Sequence, residues 1–489
     1  MFSLNQKKGY SPKIRCNINI YYASNNVLSI ITMKKELFTT LSIYICNWII
    51  SLVLFVIVAM VTAGVTFLDS FKYFVEALDR TNFLIAIHVL FVILYFLFLI
   101  LRYFIRIRKK KGFKLMIKQL SLRLFTPVFL LFGTYQFIII KNSSENFQYN
   151  WIPAVENNSG VSKDLYQIDG KHRGMSVFGW NRDKDNANAI NDLIKSNIEW
   201  VAVIPFLDQE NEQTLTMRVP KEIGRWSRRD SLHIKTINAL KKKNIHIMLK
   251  PHLWLSSGWR SNITHSNELN WNIWFESYRA NMIHYAKIAA LTEVELFCIG
   301  TELKSSLKAQ PDKWKSLVKE IKNIYKGKLT YAANWDGEYE LIDFWNEMDY
   351  IGIQAYFPLT QNQNPDITTV KKGWETHINM LKPLSEKHNK PILFTEVGYK
   401  SEASGTIRPW EWGSALSILS KQKSDKTQQI AFEALYQELW NEEWFAGTYI
   451  WQWNIRSKKE NAAKDLDFSP RYKAAENTIA KWYSTNNCD

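Results

Sequence analysis

Cysteine is scarce in this chain: four among 489 residues, Cys16, Cys46, Cys298 and Cys488, none close to another. That spacing excludes a disulfide framework and a cysteine metal cluster. No grouping of His, Asp and Glu has metal-ligand spacing either, so neither a metal nor a cofactor is expected. A glycine-rich phosphate loop is missing too: Gly174 and Gly179 do not make one, which argues against a doubly wound nucleotide-binding sheet. There is no internal repeat. Acidic side chains are nearly absent from one part alone. Residues 1–144 carry 18 Lys and Arg against 4 Asp and Glu, whereas residues 145–489 carry 44 against 42. The net charge of +16 therefore belongs to the N-terminal part, where basic clusters alternate with apolar runs. This is a membrane pattern and not a nucleic-acid one, and no nucleic-acid partner is expected.

Long stretches of that part have no charge at all. Residues 43–67 are uncharged, residues 83–101 hold no Asp, Glu, Lys or Arg and one His, His88, and residues 124–140 form a third run with Pro127 near its start. A hydrocarbon core of about 30 Å takes roughly 20 helical residues. Three spans are expected, at 43–67, 83–101 and 124–140, within a membrane region 33–141. Residues 102–123 hold nine Lys and Arg and no acid, and should stay cytoplasmic. The loop 69–82 sets Lys72 and Arg80 against Asp69, Glu76 and Asp79, and should face out. The third span then delivers everything after Lys141 to the outer side. The expectation is an integral protein of a bacterial inner membrane, with the lipid bilayer as a partner and the rest of the chain on the periplasmic side. Residues 1–32 are polar and irregular, and read as disordered or as an extension upstream of a natural start at Met33-Lys34-Lys35. Residues 142–171, rich in Asn, Ser, Asp and Gly, read as a linker.

From residue 172 to about 485 short β-rich runs alternate with helical patterns. The runs are 173–178, 200–206, 245–250, 295–300, 329–333, 350–355, 391–395 and 447–452. Between them apolar residues recur at three- and four-residue spacing, as in Ile237, Leu240 and in Ile283, Ala286, Ala289, Ala290. Such alternation means an α/β fold, and eight buried parallel strands over this length mean a (β/α)8, or TIM, barrel. The predicted fold class is thus a TIM barrel preceded by about three transmembrane α-helices.

Chemistry in such a barrel sits at the C-terminal strand ends. Two glutamates stand there: Glu302 after the fourth run and Glu396 after the seventh. Glycosidic cleavage needs one carboxylic acid to protonate the leaving oxygen and one carboxylate on the other face of the sugar. A separation of about 5–5.5 Å means retention through a covalent intermediate, and roughly 6.5–9.5 Å means inversion. Around the pair, Lys250, His252 and Trp254 follow the third run, Asn334 and Trp335 the fifth, Tyr356 the sixth, and Trp451 lies in the eighth. We read these as substrate-binding. Tyr356 could donate to the nucleophile, Trp254, Trp335 and Trp451 offer faces for sugar rings, and Lys250 has the alternative of pairing with a carboxylate inside the barrel. Of 20 tryptophans, 19 follow residue 150. Trp200, Trp274, Trp345 and Trp440 read as packing, and Asp336 and Asp349 as capping or paired.

Gly174-Met175-Ser176, Lys250-Pro251-His252, Trp271 with Trp274-Phe275, Ile299-Gly300-Thr301-Glu302-Leu303, Thr395-Glu396-Val397-Gly398-Tyr399 and Phe468-Ser469-Pro470-Arg471 together resemble glycoside hydrolase family 113 of clan A. The resemblance runs from about residue 170 to 483. It implies a retaining mechanism with Glu302 as acid/base and Glu396 as nucleophile. It also implies endo-β-1,4-mannanase activity on an oligo- or polysaccharide of β-mannan type. Thr301 stands where most of the wider clan has Asn before the acid/base, so the contact to the sugar 2-hydroxyl falls to another residue, for which Asn334 is the candidate. Membrane tethering suits a surface polymer or oligosaccharide trimming better than distant plant mannan. Two alternatives stay open: a transglycosylase remodelling a surface glycan, and a carbohydrate-binding protein without catalysis. A transporter is the weakest reading, since three spans with few polar groups offer no pathway.

Overall fold

The computed structural model describes residues 12–63, 66–78, 81–143, 149–181, 186–218, 227–413 and 417–486. The chain divides into two compact units, Met1–Gly133 and Thr134–Asp489.

The first unit is helical. Its long helices are Pro12–Ala63 and Thr81–Lys111, with the shorter Phe67–Leu78 between them and Phe113–Leu120 after. A π-helical turn, Ser121–Phe125, joins the last of these to Thr126–Asn142. Three stretches are long and apolar enough to cross a membrane: Glu36–Val61, Phe83–Lys111 and Phe113–Asn142. Their apolar side chains point outward, with Leu54, Val61, Phe96, Leu101, Phe129 and Leu131 all exposed. Water penalises such a surface and lipid does not, so the helices fit a membrane region. Limits differ from the sequence reading. The first helix ends at Ala63 instead of continuing to Phe67, and it begins at Pro12, inside the segment expected to be unstructured. No proline or glycine interrupts the chain from Lys13 to Ala63, and Pro12 occupies the first helical position, where its missing N–H costs nothing. Residues 1–11 lie outside the described residues. Inside this unit the Arg102 guanidinium grips Glu36 through two hydrogen bonds of 2.7 and 2.8 Å.

The second unit is a closed barrel of eight parallel strands. They are β1 His172–Phe178, β2 Trp200–Val203, β3 His246–Leu249, β4 Leu296–Thr301, β5 Lys328–Asn334, β6 Tyr350–Gln354, β7 Ile392–Val397 and β8 Phe445–Asn454. Each strand pairs with its sequence neighbours, and β8 closes on β1. Alternation along a strand makes two cores. In β2, Trp200 and Ala202 fill the barrel interior beside Met248, Leu296, Cys298 and Tyr449. Val201 and Val203 face the surrounding helices. Those helices include Arg228–Lys241, Glu268–Thr292, Pro311–Ile324, Ile367–His388 and Asp425–Leu439. Ser227, Asn267, Asp366 and Ser424 cap four of them through side-chain oxygens, each satisfying a backbone N–H that the helix leaves unpaired. Gly447 sits at φ +117 with His172 against it, so a Cβ there would lie 2.4 Å from the His172 carbonyl oxygen. The close seam between β8 and β1 requires glycine at that point.

Two strands stop earlier than the sequence suggests. Pro205 and Pro251 lack the N–H a ladder needs, and beyond them Phe206–Gln209 and His252–Leu255 pair as a separate two-stranded sheet. This pair carries the chain up one side of the barrel mouth. At the other end, the stretch read as a linker is packed on the barrel from residue 149 onward. Glu199 accepts from the backbone N–H groups of Leu165 and Tyr166, and Asp164 meets His246 at 2.6 Å.

Candidate active site

The C-terminal strand ends surround one cavity of about 760 Å³. Glu302 and Glu396 both open into it, together with His252, Trp254, Asn334, Trp335, Tyr356 and Trp451. These are all of the residues singled out in the sequence except Lys250. Trp200, Trp274, Trp345 and Trp440 are fully buried packing residues. Asp336 pairs with Lys304 at 3.1 Å, and Asp349 accepts the Leu329 N–H at 2.7 Å.

Lys250 is a correction. Its side chain is fully buried and does not line the cavity. Its Nζ lies 2.5 Å from Glu396 Oε1, 2.9 Å from Gln354 Oε1 and 3.3 Å from the Thr395 carbonyl. With its proton donors committed to three acceptors behind Glu396, it supports that carboxylate and does not reach a ligand. Tyr356 donates its hydroxyl to the other oxygen, Glu396 Oε2, at 2.8 Å. A buried carboxylate that accepts from an ammonium on one oxygen and a phenol on the other is fixed in one orientation.

Glu302 is built differently. It follows β4 with a left-handed backbone, φ +53, which ends the strand and turns the chain toward the short helix Lys304–Ala309. Its N–H bonds the Ala332 carbonyl and its own carbonyl accepts from Ser261 Oγ at 2.8 Å. Burial pushes the Glu302 carboxyl above its ordinary range; Arg260 opposes this and the charge of Glu396 adds to it. A raised carboxyl is what a proton donor needs. His252 is buried and its pKa lies well below the usual range, first from desolvation and then from Arg260 and Lys250. It is therefore a neutral imidazole, and its Nδ1 has no hydrogen-bond partner among the described residues.

Sequence reasoning missed Arg260, whose Nη2 lies 2.5 Å from Glu302 Oε2. Its guanidinium stacks on Trp259, 4.3 Å from the ring centre. It missed Trp410 and Trp412 as well. Trp410 packs on Trp335 with ring centres 4.9 Å apart, and Trp412 meets the Trp451 ring edge-on at 6.0 Å. Another carboxyl, Glu338, is buried just below the mouth. It accepts from Tyr331 Oη and from the Asn334 N–H, each at 2.7 Å, while Leu303 N–H donates to the same Tyr331 oxygen at 2.8 Å. Glu338 so ties together the chain on either side of Glu302 and Asn334. Burial pushes its pKa up to about 8.

Residues 174–473 match the sequence profile of Glycoside Hydrolase Family 113. The chain belongs to glycoside hydrolase family 113. The chain is also similar to a solved family 113 β-mannanase, AaManA from Alicyclobacillus acidocaldarius in complex with ManMIm. Identity to it is 25%, the TM-score is 0.56, and the match covers 64% of this chain and 97% of that one. Two further solved chains described as GH113 β-1,4-mannanase show the same fold. They have 22% identity, with TM-scores of 0.56 and 0.55, covering 65% and 64% of this chain and 99% and 98% of theirs. No curated protein sequence matches. A family 113 barrel with both glutamates in its cavity is a glycoside hydrolase, and its substrate is a glycan.

Proposed function

We propose that this family 113 enzyme is a membrane-tethered retaining β-glycosidase with endo-β-1,4-mannanase-like action, its barrel on the outer, periplasmic face of a bacterial inner membrane. The observation that carries the reading is the unequal environment of two carboxyls in one cavity. Glu396 is gripped by Lys250 and Tyr356, whereas burial raises Glu302 toward its protonated form. A carboxyl raised toward its protonated form suits the acid, and a carboxylate held by an ammonium suits the nucleophile.

In the first step Glu396 attacks the anomeric carbon, the bond to the leaving oxygen breaks, and Glu302 gives that oxygen its proton. In the second, Glu302 takes a proton from water, the hydroxyl adds to the same carbon, and the ester to Glu396 breaks. Two inversions return the original anomeric configuration. His252 and Asn334 offer neutral polar atoms to sugar hydroxyls, Asn334 being the candidate for the 2-hydroxyl. The indoles of Trp254, Trp335, Trp410, Trp412 and Trp451 give apolar faces for pyranose rings. Flat aromatic surfaces on several sides of an open cavity suit a chain that extends both ways from the cleaved bond.

The test is hydrolysis by the full chain in detergent of β-linked manno-, gluco- and xylo-oligosaccharides, with product anomers followed by NMR, beside Glu302→Gln and Glu396→Gln. Cleavage of manno-oligosaccharides with retained configuration, abolished by both substitutions, supports the proposal. Inverted products would sink the double-displacement part. Transfer to added acceptor sugars in preference to water would favour the transglycosylase. External protease reaching residues 149–486 in spheroplasts supports the outer placement, and protection there refutes it.

A further inference from the structure

Glu302 has a difficult neighbour for an acid catalyst. Arg260 is the one cationic side chain lining the cavity among the described residues; Lys250 lies behind Glu396, and Lys304 is occupied at the rim by Asp336. The side chain of Arg260 is 10% exposed and its ionic partner is Glu302. When Glu302 carries the proton it must donate, this desolvated guanidinium loses its ion-pair partner, a costly state for a buried charge. When Glu302 stays charged to satisfy Arg260, it has no proton to give. A neutral glycan leaves the conflict standing. A glycan bearing a carboxylate resolves it, because the sugar's anion takes over the guanidinium and leaves Glu302 free to hold its proton.

The local construction favours such a ligand. Arg260 opens the short helical turn Arg260–Asn262, stacks on Trp259, and is followed by Ser261, which bonds the Glu302 backbone and whose carbonyl accepts from Ser305 Oγ at 2.6 Å. The guanidinium plane is thereby fixed beside the acid/base. A planar, pre-oriented fork matches the two oxygens of a carboxylate. Of the groups around it, His252 is neutral, Glu396 is held by Lys250, and the Glu212 carboxylate accepts the Trp259 N–H at 2.9 Å.

We propose that Arg260 is the receptor for a substrate carboxylate, and that the preferred substrate is an acidic β-linked glycan with a uronic acid on the leaving-group side of the cleaved bond. This rests on the hydrolase reading above and narrows its substrate class.

The experiment uses the full chain in detergent, as wild type, Arg260→Met and Arg260→Lys, with β-1,4-linked oligomannuronate and β-1,4-manno-oligosaccharide of equal length. Two quantities are read: kcat/KM for each, and calorimetric binding of their sulfur-linked analogues, which resist hydrolysis. Wild type is expected to favour the acidic chain in both readouts. Arg260→Met should cut the acidic-to-neutral ratio roughly ten- to hundredfold, the range of a charge-assisted hydrogen bond, and Arg260→Lys, with charge but no fork, should fall between. Equal treatment of both chains by wild type, or an equal loss for both in Arg260→Met, overturns the proposal and leaves Arg260 as a partner of Glu302 alone. Arginine-dependent binding of the acidic analogue without turnover of any substrate would uphold the anion site and count against the hydrolase reading, so the two failures are distinct.

Discussion

Replacing Glu338 by glutamine should change how the stability of the barrel depends on pH. Glu338 is completely buried, and desolvation raises its pKa from 4.5 to about 8 in spite of the Tyr331 and Asn334 hydrogen bonds. The folded chain thus keeps this proton up to about pH 8, whereas the unfolded chain releases it near 4.5. Across that window the folded state binds more protons, so stability falls as pH rises, by about 1.4 kcal/mol per pH step. The contribution is greatest below pH 4.5, declines through the window and levels off above about 8, for a total loss of about 5 kcal/mol. At this domain size that corresponds to a fall of roughly 10 °C in melting temperature. Glutamine resembles the protonated acid and cannot titrate: its carbonyl can accept the Asn334 N–H and its amide can face Tyr331. The measurement is thermal unfolding by near-UV circular dichroism between pH 5 and 9, a signal dominated by the barrel because 19 of 20 tryptophans follow residue 150. Glu338→Gln should show a much flatter profile than wild type. Parallel profiles would refute the reasoning, since the decline would then come from other groups.

Three further outcomes are expected. The alkaline limb of kcat/KM should reflect loss of the Glu302 proton and lie above the 4.5 of an ordinary glutamate, because burial raises that carboxyl; Arg260→Met should move it higher still, and a limb at or below 4.5 in pH–rate profiles would count against Glu302 as the acid. Lys250→Met strands Glu396 in the barrel without its cation, and should cost about 3–5 kcal/mol of stability as well as activity, which unfolding curves beside initial rates would reveal. Gly447→Ala forces a methyl to within 2.4 Å of the His172 carbonyl, so β8 must part from β1, and a melting temperature equal to wild type would show that the seam is looser than described.

The barrel was legible in the sequence because its strands are buried on both faces and so appear as short apolar runs, as in 295–300 and 391–395. Glu302 and Glu396 stood out because each ends such a run, where a charge has no packing reason to be. Strand limits differ by a residue or two near Pro205 and Pro251, where the prolines interrupt the ladder and the same two segments resume pairing beyond as a small sheet. Lys250 could be read either way, since a lysine at a strand end does not declare whether its ammonium points up into the cavity or back into the barrel. Arg260, Trp259, Trp410 and Trp412 come from long loops without periodicity. Nothing in their spacing shows that they converge on Glu302, Trp335 and Trp451, which stand far from them in the chain. Glu338 was invisible for a related reason: its importance lies in bonds to Tyr331 and Asn334, a relation set by the turn after β5.

The left-handed backbone of Glu302 has a consequence for anyone seeking a sturdier protein. A side chain in that conformation costs about 1–2 kcal/mol that glycine would not. The proposed proton donor therefore sits on a strained backbone, yet its removal is no gain, because the buried Arg260 guanidinium would lose its ionic partner, a loss of about 3–5 kcal/mol that outweighs the relief. A search for heat-resistant variants would thus pass over Glu302→Gly, and the strain stays in the chain because the carboxyl that causes it is also the counter-ion of its neighbour.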